Sequence, residues 1–135
     1  MKRAFPCPCC GYRMFEQAPG SFAICEICCW EDDIVQLAFP DCAGGANQCS
    51  LIEGQTNYAR YGACERRVAS EFCLAAPDGC RDSLWQPLDV TRDRYLRWGN
   101  LSDHGLWQTV KNPGDLCLYY WRPDYWLRDG KWIAG

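Results

Sequence analysis

The chain has 135 residues, of which 48% are hydrophobic and 23% charged, and its net charge is -3. That is apolar material enough for one compact domain or two small modules, and it excludes a disordered tail. The single histidine, His104, excludes every site that needs two or three histidines, while twelve cysteines make sulfur chemistry the leading clue.

The N-terminus reaches Cys7 before any apolar stretch of signal-peptide length, and no run approaches the ~18 apolar residues of a membrane span. The expected setting is therefore a reducing cytoplasm, where paired cysteines read as metal ligands before they read as disulfides. Cys7-Pro8-Cys9-Cys10-Gly11 is a C-P-x-C-G turn, and Cys25-Glu26-Ile27-Cys28 supplies a second pair, followed by Cys29-Trp30. The frame is C-x2-C-x14-C-x2-C. Two cysteines at this spacing place both sulfurs on one ion, so Cys7, Cys10, Cys25 and Cys28 are expected to hold one structural Zn²⁺. Cys9 and Cys29 remain as packing thiols or alternative ligands, with Trp30 as a cover for the site. A redox pair at Cys25/Cys28 is the competing reading, and it lacks the βαβ context such a pair uses. Pro6-Cys7-Pro8-Cys9-Cys10 matches half of the zinc-deaminase motif, but the His/Cys-x-Glu half has no place upstream.

Between the pairs, Tyr12 to Phe15 and Phe22 to Ile24 are apolar stretches joined by the turn Ala18-Pro19-Gly20-Ser21. Two knuckles and this hairpin describe a zinc ribbon. Glu31-Asp32-Asp33 is a solvated turn or helix start, or else an acidic patch for a basic partner. Gly44-Gly45 marks a tight connection. Ser50-Leu51-Ile52-Glu53 is a capping box that opens a helix over 51–61, ended at Gly62. Val68/Phe72 and Ala69/Cys73 suit a second helix near 64–75, stopped by Ala76-Pro77-Asp78-Gly79. That stop divides a module over 1–78 from a Trp-rich module over 79–135, which could also pack as one domain with the first.

In the second module Asp89 to Trp98 is read as a short helix ending at Gly99-Asn100. From Leu106 onward the pattern is an antiparallel β-meander: Leu106 to Val110, a turn at Asn112-Pro113-Gly114-Asp115, Leu116 to Trp121, then a turn at Arg122-Pro123-Asp124. Tyr125–Arg128 and Lys131–Ile133 follow as a hairpin around Asp129-Gly130. On that register Leu127 faces Trp132 and Trp126 faces Ile133. Trp121, Tyr125, Trp126 and Trp132 are either core or an exposed partner surface. Cys42, Cys49, Cys64, Cys73, Cys80 and Cys117 show no pairing motif and read as small buried apolar residues, with a second metal site as the alternative. The overall expectation is an α+β fold.

The chain resembles the bacterial cysteine-rich CPCC family. The resemblance rests on Phe5-Pro6-Cys7-Pro8-Cys9-Cys10-Gly11-Tyr12, Pro19-Gly20-Ser21-Phe22-Ala23-Ile24-Cys25-Glu26-Ile27-Cys28, Trp30-Glu31-Asp32-Asp33, Val35-Gln36-Leu37, Gly44-Gly45-Ala46-Asn47, Ser50-Leu51 and Asn57-Tyr58. It spans about residues 5–65 and implies a zinc-binding module of small bacterial proteins, without a settled activity. Cys29 departs from the pattern, in which a Phe-like residue precedes the tryptophan.

The first 63 residues carry four basic and seven acidic side chains, and the rest is neutral. Four thiolates on a divalent ion would make the cysteine-rich half more negative still. That favours a basic protein over a phosphate backbone. The leading expectation is thus a non-enzymatic protein-binding module, in its sharpest version an immunity or antitoxin protein that neutralises a toxin. A nucleic-acid-binding ribbon is the alternative, using Arg92, Arg94 and Arg97 with Tyr95 and Trp98 as stacking groups. Thiol-redox or Cys/His catalysis through His104 ranks below both.

Overall fold

The computed structural model describes residues 5–66, 73–75, 80–111, 116, 118, 119, 121, 123–128 and 131–132. The element order is β1 (Phe5–Pro6), β2 (Arg13–Phe15), α1 (Ile34–Ala38), α2 (Leu51–Tyr61), α3 (Leu101–Thr109), a 3₁₀ turn (Pro123–Trp126), β3 (Leu127–Arg128) and β4 (Lys131–Trp132). The fold is α+β, with very short strands.

β1 and β2 are antiparallel and bracket the first knuckle, with Phe5 opposite Phe15 and Pro6 opposite Arg13. The expected hairpin between 12–15 and 22–24 does not form. Residues 22–24 instead bond to the far side of their own knuckle: the Phe22 N–H donates to the Asp32 carbonyl at 3.1 Å, and the Asp32 N–H returns to Ala23 at 2.9 Å. Each cysteine pair thus closes its own small ladder. This satisfies local backbone groups without requiring the 16–21 turn to be tight.

α2 forms as its sequence dictates. Ser50 Oγ accepts from the Glu53 N–H at 3.1 Å, and Glu53 returns a carboxylate oxygen to the Ser50 N–H at 2.9 Å. Gly62 ends the helix in the left-handed conformation, φ 78°. Leu51, Gly54 and Gln55 form its buried face. An alanine Cβ at Gly54 would lie 3.2 Å from the Trp30 ring and 3.3 Å from Cys9 Sγ. Glycine there lets the helix press on both.

α1 is capped by Asp33, whose Oδ1 accepts from Val35 N–H at 2.8 Å and from Gln36 N–H at 3.3 Å. The 41–49 loop is fastened by Gln36. Its buried amide nitrogen lies 3.0–3.1 Å from the carbonyls of Cys42, Asn47 and Cys49. Gly45 comes so close that a Cβ would stand 2.8 Å from Asp33 Oδ2. Gly45 therefore serves close approach, while Gly44, with nothing within 4 Å of a Cβ, supplies a left-handed φ of 79°.

The second half departs further from expectation. Residues 89–98 are not helical; they hold a turn at Asp89, where the Arg92 and Asp93 N–H groups bond to the Asp89 carbonyl. The helix begins where the sequence seemed to end one. Asn100 caps α3 by accepting from Ser102 N–H at 2.9 Å, so Leu106 to Thr109 are helical instead of the meander's first strand. Among the described residues of 116–121 no strand forms, and the meander reduces to β3 and β4. Their register pairs Leu127 with Trp132 as expected. The Val68/Phe72 and Ala69/Cys73 pairs, the stop at 76–79, the turns at 112–115 and 129–130, Ile133 and Cys117 involve residues outside the described set; Cys73 to Ala75, inside it, are not helical.

The two halves share contacts. Gln55 on α2 donates to the Pro8 carbonyl at 2.9 Å and to Tyr119 Oη at 2.8 Å, and accepts from Leu88 N–H at 2.9 Å. Tyr125 Oη donates to the Pro6 carbonyl at 3.0 Å. One buried cluster runs from the cysteines through Phe15, Trp30, Leu37 and Leu51 to Leu96, Trp107 and Trp126.

Candidate metal centre

The two knuckles repeat one backbone design. In the first, Cys7 N–H donates to the Tyr12 carbonyl at 2.8 Å and Gly11 N–H donates to the Cys7 carbonyl at 2.7 Å. In the second, Cys25 N–H donates to Trp30 and Cys29 N–H donates to Cys25, both at 2.8 Å. Each turn closes through a left-handed residue, Gly11 at φ 83° and Cys29 at φ 69°.

The repeat aims four sulfurs at one point. Cys7, Cys10, Cys25 and Cys28 are fully buried, and their Sγ atoms all lie within 4.8 Å of one another. The Cys7–Cys28 and Cys10–Cys25 separations are 3.6 and 3.7 Å. A tetrahedron with metal–sulfur bonds of about 2.3 Å has edges of about 3.8 Å. The donor set therefore fits one thiophilic ion in spacing, number and chemistry. No other cluster of this kind occurs among the described residues.

Burial pushes the Cys7 and Cys28 thiols well up from their ordinary value. Cys25 is held far down, first by the Cys10 thiol and then by Cys28 and Cys7, all of which stabilise its anion. A buried sulfur cluster without a cation resists collecting further negative charge, and a dication reverses that balance.

Later segments cup each knuckle. Trp85 lies over Gly11 and donates its indole N–H to the Pro8 carbonyl at 2.9 Å. Arg81 donates to the Cys10 carbonyl at 2.9 Å and stacks on the Trp85 and Tyr12 rings. On the second knuckle, Cys64 N–H donates to the Cys28 carbonyl at 2.7 Å and Leu74 N–H to the Glu26 carbonyl at 2.9 Å. Sequence reasoning missed Trp85 and Arg81, since nothing local marks a side chain that covers a turn seventy residues earlier.

The model matching residues 5–78 is described as cysteine-rich CPCC. The chain belongs to the cysteine-rich CPCC family. The match reaches beyond the resemblance read from motifs and takes in the segment bonded to the second knuckle. No curated protein matches the chain.

The other singled-out residues fall into place by burial. Cys9 is buried against Gly54 beside Trp30, outside the four-sulfur group. Cys29 is half-buried, its sulfur 2.6 Å from that of Cys73. The acidic patch is not a patch. Asp32 Oδ2 accepts from the Gly20 and Ser21 N–H groups and from Ser21 Oγ, while Asp33 caps α1 and accepts from Ala46 N–H. Both are buried, at 1% and 7% exposure, because the 18–21 turn and the glycine loop need acceptors for their amides. Only Glu31 remains half-exposed. The aromatic surface is likewise interior. Tyr125 and Trp126 are buried and Trp121 is half-buried, with the Trp121 ring tilted against Tyr125 at 4.9 Å and Trp107 edge-on to Trp126 at 5.1 Å. Trp132 is described only by its backbone pairing.

The remaining candidates for chemistry are also accounted for. The His104 ring sits 4.6 Å from both the Phe39 and Trp98 rings. Arg92 is paired with Asp93 at 3.2 Å, and Arg97 lies over the Tyr95 ring, so two of the three arginines of the basic stripe have local partners. Among the described residues, no helix is long and apolar enough to cross a membrane.

Proposed function

We propose that the protein is a zinc-stapled, non-catalytic module that binds another protein. The observation that carries this reading is the closed four-sulfur shell: all four donors come from the chain and are sealed from solvent. Such a shell leaves no open position for substrate, and four thiolates at this spacing suit Zn²⁺. Zinc here would supply folding free energy and would fix the two knuckles as a small ribbon.

The partner surface that best fits lies on the second knuckle. Phe22 and Ile24 are 56% and 61% exposed, and Leu74, bonded to the same knuckle, is 59% exposed. Ile24 shares one cavity with Glu26 and a neighbouring one with Glu31 and Glu65. An apolar centre with an acidic surround suits a basic partner. Neutralisation of a basic toxin in the cytoplasm, as an immunity or antitoxin protein, is the form of this reading that the net charge of -3 favours.

The test is a tagged capture from the source cell's lysate after nuclease treatment, comparing wild type with Ile24→Lys and Glu26→Lys. The expected result is one stoichiometric protein that wild type retains and both variants lose, at unchanged zinc content and melting temperature. A nuclease-sensitive, heterogeneous set, or equal capture by all three, would overturn the partner surface.

A further inference from the structure

Cys29 and Cys73 stand apart from the metal ligands in both position and spacing. Their sulfurs are 2.6 Å apart, against 3.6 and 3.7 Å between the ligand sulfurs. That is within about 0.6 Å of a disulfide bond, and far inside the spacing of sulfurs that share an ion. The chain brings them together by design at two further points: Cys64 N–H bonds the Cys28 carbonyl and Leu74 N–H bonds the Glu26 carbonyl. These bonds lay the 73–75 segment along the knuckle that carries Cys29. Both thiols are half-buried, so reagent access is not closed. Cys29 also lines a cavity of about 280 Å³ with Ile24, Glu31, Cys64 and Glu65. The left-handed slot it occupies would cost less with glycine, as Gly11 shows in the first knuckle.

We propose that Cys29 and Cys73 are a reversible disulfide site, oxidised by a low-molecular-weight disulfide that enters the cavity beside Cys29. In the first step Cys29 sulfur attacks one sulfur of the reagent. A mixed disulfide forms, the reagent's S–S bond breaks, and the thiol proton leaves with one released thiol. In the second step Cys73 attacks the Cys29 sulfur, closes the Cys29–Cys73 bond and expels the second thiol with its proton. Two protein thiols are oxidised and one disulfide is reduced to two thiols. The product ties the 73–75 segment covalently to the second knuckle and leaves the four ligand sulfurs on the metal.

The experiment treats the metal-loaded full chain with cystamine, a cationic disulfide suited to the glutamates of the cavity. Free thiols are then alkylated, the linked peptides mapped by mass spectrometry and the bound metal counted. The expected result is a Cys29–Cys73 link at full metal content, a melting temperature raised by about 5 °C, and reversal by a dithiol reductant. Cys73→Ser should stop at the Cys29 mixed disulfide. Cys29→Gly, which suits the left-handed turn, should give no link while its circular dichroism stays native. Alkylation of both Cys29 and Cys73 after treatment would overturn the proposal. So would linkage of Cys29 to a ligand cysteine with loss of metal.

Discussion

Cys29 occupies in the second knuckle the place that Gly11 occupies in the first: each donates its N–H to the carbonyl four residues back, and each has a positive φ, 69° and 83°. The backbone demand is the same and the side chains differ. At Gly11 the space is also filled, since a Cβ would stand 2.5 Å from the Trp85 ring. Gly11→Ala therefore combines a left-handed penalty of about 1–2 kcal/mol with an overlap against a ring held by its own hydrogen bond, and should cost about 3 kcal/mol. Cys29→Gly removes only the penalty and should gain about 0.5–1 kcal/mol under reducing conditions. Denaturant melts of the two metal-loaded variants check both signs. A destabilised Cys29→Gly would mean that its side chain contributes more packing than its backbone costs.

Metal removal should unfold the first half, because the four buried sulfurs that converge from the two knuckles would then share no ion. Cys25→Ser should behave as the stripped protein does, losing the metal and the cooperative melt together. The pH dependence follows from the raised Cys7 and Cys28 thiols. Without metal they keep their protons, so binding must displace protons, and acid favours release. Metal retention should be complete at neutral pH and fall as pH is lowered. A chromogenic chelator read across a pH series gives the profile. Release that increased toward alkaline pH would contradict thiolate ligation.

The polar knot behind the second knuckle should be worth more than its exposed counterparts. Asn47 Oδ1 accepts from Glu31 N–H and its amide donates to the Glu31 carbonyl, both at 2.9 Å, while the same amide also donates to Gln36 Oε1 at 2.9 Å. Asn47→Ala strands the Glu31 N–H, whereas the Glu31 carbonyl keeps the Asp33 N–H and Gln36 Oε1 keeps the backbone N–H of residue 47. The expected loss is about 1–3 kcal/mol, with the metal still bound, since the knot touches no ligand sulfur. Equilibrium unfolding with a metal count on the native fraction checks both halves. A loss below about 0.5 kcal/mol would show that water replaces the side chain.

The sequence was informative wherever a feature is local. The cysteine spacing named the four sulfurs that converge, and Ser50, Glu53 and Gly62 set both ends of α2, because caps are decided within four residues. The Asp129-Gly130 signal led to the correct pairing of Leu127 with Trp132. Features settled at a distance were hidden. Glu31-Asp32-Asp33 looks like solvated charge until the amides of residues 20, 21 and 46 arrive to be accepted. Gly99-Asn100 reads as a helix end, and it is the Ser102 amide on the Asn100 side chain that makes it a helix start. Gly105 inside α3 and the strand formers after it hid that helix from propensity. The aromatic residues could have been core or surface, and the tie from Tyr125 to Pro6 draws them inside.

Tyr119 should set part of the alkaline limit of stability. Its hydroxyl accepts from Gln55 at 2.8 Å and donates to the Gln86 carbonyl at 3.3 Å, in a site that is 7% exposed. Burial pushes its ionisation up from the ordinary value of 10.0, and burial does the same to Tyr58. In the unfolded chain both ionise normally. The folded state therefore keeps its full tyrosine-linked stability below about pH 10 and loses it as pH rises beyond, when only the unfolded chain releases the protons. Tyr119→Phe has no proton to release there. At neutral pH it should be less stable than wild type by about 1 kcal/mol, the worth of its hydrogen bonds. Above about pH 10 the two stability curves should converge. Denaturant melts at neutral and alkaline pH, with tyrosinate absorbance followed alongside, measure the gap. A gap that stayed constant across the series would mean that Tyr119 ionises as freely in the folded protein as in the unfolded chain.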